Sequence, residues 1–108
     1  MLHRNGVYYL TYSSGNWGDE TYKVQWATGA SAAGPFAEQP QIILRSNEQV
    51  KGPGHHNLFR TPSGGDWMIY HGWDPAFKAR YPRIDRLIME NGVLKSNGPT
   101  FTPQPCEW

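Results

Sequence analysis

Apolar and polar positions alternate along most of this chain with a period of two, the spacing of a strand that buries one face. In Thr21-Tyr22-Lys23-Val24-Gln25-Trp26-Ala27-Thr28, the residues Tyr22, Val24 and Trp26 share one side while Lys23 and Gln25 share the other. Val7-Tyr8-Tyr9-Leu10-Thr11-Tyr12-Ser13 is aromatic and β-branched and lies between Asn5-Gly6 and Ser14-Gly15-Asn16, which predicts a strand between two turns. Ile42-Ile43-Leu44 predicts a short third strand, and Gly29 to Phe36, with its Gly-Pro step, a loop. A second unit follows: strands over 56–60, 67–71 and 84–90, a Pro62-Ser63-Gly64-Gly65 turn, a long loop after His71, and Asn91-Gly92 turning a hairpin into Val93-Leu94-Lys95. No apolar stripe recurs at helical spacing, and nine prolines and twelve glycines oppose one.

Tyr9 to Ser13 matches Trp67 to His71 in residue type about 58 positions later, near the length of a four-stranded propeller blade. The prediction is therefore an all-β chain of two blade-like units, dividing at about 1–48 and 49–108. With 108 residues the chain can bury roughly 60–70% of its unfolded surface, so its core is modest.

Charge and cysteine content narrow the functional classes. Ten basic and nine acidic residues leave a formal charge of +1 without any block of like charge, which gives no electrostatic footprint for nucleic acid or an anionic membrane. No apolar run approaches the ~20 residues of a membrane helix, and Met1 to Arg4 leads into a strand and not into the apolar stretch of a signal peptide. Cys106 has no second cysteine with which to form a disulfide or a thiolate zinc site. Aromatics reach 14%, with five Trp and six Tyr; such rings pack sheets and also stack on the C–H faces of sugars.

Three segments carry the candidate chemistry: Lys51-Gly52-Pro53-Gly54-His55-His56-Asn57-Leu58-Phe59-Arg60, then Asp66-Trp67-Met68-Ile69-Tyr70-His71-Gly72-Trp73-Asp74, then Arg80-Tyr81-Pro82-Arg83-Ile84-Asp85-Arg86-Leu87. Together they resemble the last blade of the five-bladed β-propellers of glycoside hydrolase family 43. The resemblance extends from Asn5 to Gly92 and is strongest from Lys51 to Leu87.

Membership would imply cleavage of arabinofuranosyl or xylosyl linkages of hemicellulose, with inversion, by a general-base Asp, a pKa-tuning Asp and a general-acid Glu. Inversion needs two carboxyls about 6.5–9.5 Å apart. In the family the Glu usually sits in a Glu-Gly-Pro or Glu-Ala-Pro turn ahead of a segment like Met1-Leu2-His3-Arg4-Asn5-Gly6, and both aspartates come earlier. None of the three can be placed here, so the expectation is a C-terminal two-blade portion, inactive or nearly so alone. Asp74 and the Asp19-Glu20 pair, in comparable loops, are the internal alternative, requiring a self-assembled enzyme.

By the same resemblance His55 points into the channel and helps to hold calcium or an ordered water, unless it is a turn residue bonded to backbone; His56 points the opposite way. Trp73 either stacks on sugar or packs the rim. Arg80, favoured over Arg83, donates a guanidinium fork to sugar hydroxyls or keeps a catalytic carboxylate ionised. Asp85 and Arg86 are expected to form a cross-strand pair on the blade surface. A second class of function is a carbohydrate-binding or self-assembling module that uses Trp17, Trp73 and Tyr81 without cleavage. Its open sheet edges would favour a homo-oligomer or the remainder of a longer propeller. Compartment is left open.

Overall fold

The computed structural model describes residues 1–104; Cys106 lies outside them. Every regular element among the described residues is a strand. β1 (Leu2–Arg4), β2 (Val7–Ser14), β3 (Lys23–Gly29) and β4 (Phe36–Glu38) form one antiparallel sheet in chain order. β5 (Lys51–Arg60), β6 (Asp66–Trp73) and β7 (Arg80–Arg86) form a second sheet, and β8 (Ile88–Glu90) with β9 (Val93–Lys95) makes a separate hairpin.

Two Asn-Gly steps turn the tight hairpins, β1 to β2 and β8 to β9. Asn5 and Gly6 have φ of 53° and 78°, and Asn91 and Gly92 have 52° and 76°. Positive φ at both central residues gives the turn whose twist matches that of paired strands, and asparagine and glycine adopt it at least cost.

The core lies between the two sheets. Tyr9 of β2 and Val24 and Trp26 of β3 meet Met68 and Tyr70 of β6, with Ile43, Leu44, Leu87 and Leu94 closing the sides. Period-two alternation supplies these residues from one face of each strand. The opposite face of the second sheet is open, and there Ile69 keeps 47% of its surface exposed.

Several elements differ from the sequence expectation. The fourth strand of the first sheet is Phe36–Glu38, paired to β3 through Gly29↔Phe36 and Ala27↔Glu38, and falls at the end of the segment read as loop. Ile42 to Leu44 contributes one isolated bridge, Val24↔Leu44, because Ile43 and Leu44 turn into the core. The single strand expected over 84–90 is divided at Leu87, whose N–H still bonds the Asp66 carbonyl at the end of the β6–β7 ladder and whose side chain is buried, before β8 pairs with β9 instead. The second sheet thus has three strands.

Asp85 is the clearest correction. It is only 2% exposed and is not half of a surface pair with Arg86. Its carboxylate accepts from the Tyr70 hydroxyl, from the Thr100 N–H at 3.0 Å and from the Thr100 hydroxyl at 2.8 Å. Burial next to this carboxylate drives the Tyr70 hydroxyl far above its ordinary pKa of 10.0, so it stays a donor at any physiological pH.

Candidate functional site

Register puts the chemistry at one end of both sheets. Ser14 faces Lys23 where β2 passes to β3, and Lys51, Trp73 and Arg80 lie abreast where β5 starts, β6 ends and β7 starts. The loop 15–22 meets the end of β6 and the start of β7 beside the start of β5. Glycine allows the approach: Gly52 has φ +57°, and a Cβ there would lie 2.4 Å from the Asp19 carbonyl oxygen. Ser46 ties the junction, accepting from the Gly52 N–H at 2.7 Å and donating to the Glu20 carbonyl at 2.8 Å.

The two histidines diverge within an irregular stretch of β5, where its register against β6 shifts on either side of Gly54. His55 holds φ +53°, in the left-handed region. For a residue with a Cβ this costs roughly 1–2 kcal/mol, the kind of strain that concentrates where a side chain must be aimed. Its N–H donates to Ser13 Oγ at 3.0 Å, and its exposed ring stacks on His71 at 5.8 Å between centroids. His71 stacks in turn on Tyr22 at 6.0 Å. His56 turns towards the first sheet, with Nε2 2.7 Å from Thr11 Oγ1 and Nδ1 3.4 Å from Ser13 Oγ. One histidine thus faces an open depression while its neighbour ties the two sheets together.

Trp17 and Trp73 come together at the rim. The Trp73 indole N–H donates to the Trp17 carbonyl at 3.0 Å, and the Arg80 guanidinium lies 5.0 Å from the Trp17 ring and 5.2 Å from the Trp73 ring. Beside them is an open cavity of ≈ 560 Å³ lined by His55, Asn57, Ile69, His71, Arg80 and Tyr81. That size is in the range of small-ligand sites.

The structure unites His55, Trp73 and Arg80 but sets Arg83 apart. Arg83 alternates to the other face of β7, donates from Nε to the Gly72 carbonyl at 3.4 Å, and acts electrostatically on Tyr70. His71 was not among the expected site residues. Strand alternation carries the signal, because Ile69, His71 and Trp73 are two apart along β6 and share its open face.

Of the acids at this end, Glu20 lines a separate depression with Lys23, Ile42 and Arg45, while Asp74 and Asp19 are engaged locally. The Asp74 carboxylate accepts from the N–H groups of Ala76 and Lys78 at 3.1 and 3.0 Å, closing its own loop. The Asp19 carboxylate takes the hydroxyl and N–H of Thr21, and these bonds hold it below the ordinary carboxylate pKa of 3.8. A general acid needs the opposite shift. Among the described residues no group of three or more His, Cys, Asp or Glu stands where it could hold a metal ion. The donors around His55 are imidazoles, whereas calcium takes oxygen, so these residues alone do not suit it.

Burial is the chief reason that both His56 and His71 titrate below the ordinary 6.5, with nearby positive charge adding to it. On acidification the unfolded chain takes up protons from pH 6.5 downwards before the folded chain does. Stability is thus full above that value and falls below it. Melting temperatures from about pH 8 to about pH 5 should decline on the acid side. A His56→Gln variant should decline less; an equal slope would remove His56 from the cause.

The family model described as Glycosyl hydrolases family 43 matches residues 1–94. The chain belongs to that family. It is 42% identical over 91 residues to a β-D-galactofuranosidase of Aspergillus niger, covering 81% of this chain and 27% of that protein. It is 30% identical over 90 residues to arabinan endo-1,5-α-L-arabinosidase C of Emericella nidulans, covering 66% and 28%. Among solved structures, a thermostable family 43 glycoside hydrolase superposes with a TM-score of 0.88 at 32% identity, over 96% of this chain and 36% of that one. The Cellvibrio cellulosa α-L-arabinanase complexed with arabinohexaose gives 0.76 at 21% identity, over 89% and 35%, a likeness of fold. The chain thus spans about a quarter of the length of these curated relatives. Its all-β fold is that of a C-terminal portion of the family 43 β-propeller.

Proposed function

We propose that this chain is a sugar-binding two-blade portion of a family 43 propeller acting on arabinofuranosyl or xylosyl linkages, and that alone it binds without cleaving. The blades divide at about residue 48, giving 1–48 and 49–108. The observation that carries this reading is the rim itself: His55 in a strained backbone conformation, stacked on His71 and flanked by Trp73 and Arg80 around an open cavity. It has stacking rings and hydrogen-bond donors for a sugar, but the carboxylates near it are spent on backbone.

Further blades, or copies of the chain, would pack on the open face beside exposed Ile69 and so wall in the cavity. Any calcium at His55 would be held mainly by water, and no step of the reading depends on it.

Turnover of nitrophenyl arabinofuranoside and xyloside by the purified 108-residue chain, with solution mass measured on the same sample, tests the proposal. The expected result is no turnover above background. Turnover that vanishes in Asp74→Asn would instead make this chain a small self-assembled enzyme.

A further inference from the structure

Arg80 has an unusual electrostatic setting. Both neighbouring indoles, Trp17 and Trp73, hold its guanidinium at cation–π distance. No hydrogen bond or ion pair joins it to a carboxylate among the described residues. The candidate acids at this end, Asp19 and Asp74, are occupied by Thr21 and by the backbone of Ala76 and Lys78. Its positive charge extends over the cavity, where it helps to depress the pKa of His71. Ring contacts engage the faces of a guanidinium and leave its N–H edge available, and that edge matches a carboxylate in a bidentate arrangement.

Rings stand beside this unpaired cation. Trp17 is 58% exposed, so it has a face on which the C–H side of a pyranose can stack. A neutral sugar hydroxyl can accept from the guanidinium but brings neither an opposite charge nor the paired oxygens that fit its fork. A sugar that carries a carboxylate brings both.

We propose that the Trp17–Arg80–Trp73 rim is a subsite for a uronic acid residue carried on the glycan, with the carboxylate on the Arg80 fork and the ring stacked on Trp17. This rests on the sugar-binding reading above and adds to it a charge requirement. No bond is made or broken at the subsite; it selects which substituted stretch of a polysaccharide is held.

Calorimetric titration of the 108-residue chain with glucuronate-substituted xylotriose, with neutral xylotetraose and with free glucuronate tests this. The substituted oligosaccharide is expected to bind about tenfold more tightly than the neutral one, an advantage that shrinks with added salt. Arg80→Gln should bring the two to parity while the melting temperature holds, since Arg80 is exposed, and Arg80→Lys should keep only part of the preference. Parity in the unaltered chain, a preference that survives Arg80→Gln, or free glucuronate binding as tightly as the substituted oligosaccharide would each overturn the subsite while sparing the sugar-binding reading. Failure of every sugar to bind would overturn that reading as well.

Discussion

Replacing Asp85 with alanine is expected to cost about 3–5 kcal/mol of folding stability, the range seen when one partner is removed from a buried charged contact. The loss comes from three donors at once. The Tyr70 hydroxyl and the N–H and hydroxyl of Thr100 all point at this carboxylate, and burial leaves them little water to turn to. Thr100 belongs to the segment after β9, so the carboxylate also pins residues 96–100 against the second sheet. Gly98 shows how tight that contact is, because a Cβ there would lie 2.4 Å from Asp85 Oδ2. Tyr70→Phe removes one donor and leaves the carboxylate bonded to Thr100, so it should cost less, about 1–2 kcal/mol. Denaturant unfolding of both variants checks the order; an Asp85→Ala chain as stable as the parent would mean that the segment is not anchored there.

Gly54→Ala should destabilise the chain by about 1–3 kcal/mol and also disturb the site. The added methyl would sit 2.2 Å from Tyr22 Cε2 and 2.4 Å from Cδ2, closer than any real contact, so the ring must move or β5 must yield. Tyr22 is the outer member of the stack that continues through His71 to His55. Displacing it shifts the imidazoles as well, whereas a core substitution such as Val24→Ala should cost stability without altering the stack. The separation can be read from imidazole chemical shifts at a temperature where both variants are folded. Shifts at His55 and His71 that match the parent in Gly54→Ala would show the stack to be independent of Tyr22.

The strands that the sequence pattern foretold are those with a one-sided apolar face. Val24 and Trp26 alternate with Lys23 and Gln25, and they are buried as that alternation requires. Phe36–Glu38 escaped because three residues carry too little period, and because its placement depends on pairing with β3. Asp85 escaped for a different reason: its partners come from β6 and from a segment 15 residues further on, and no local pattern marks an aspartate as buried.

The site was legible in part. His55, Trp73 and Arg80 fall at one sheet end because register places their strand ends abreast. The union of Trp17 with Trp73, and the stacking of His71 on Tyr22, depend on the loop 15–22 folding against β5 and β6 at Gly52, which a one-dimensional reading does not show. Arg80 and Arg83 look equivalent as letters but occupy opposite faces of β7, so alternation separates them once the strand is known to start at Arg80.

The central claim is that the rim of His55, His71, Trp17, Trp73 and Arg80 is where this chain meets sugar. The most direct test is nuclear magnetic resonance titration of the 108-residue chain with neutral xylo- and arabino-oligosaccharides, following the imidazole and indole signals. The account predicts saturable shifts at His55, His71, Trp17 and Trp73, with the buried Trp26 indole unmoved. Shifts confined to the opposite end of the sheets, around Arg4, Arg60 and Asp66, or no saturable shift with any of these sugars, would contradict it.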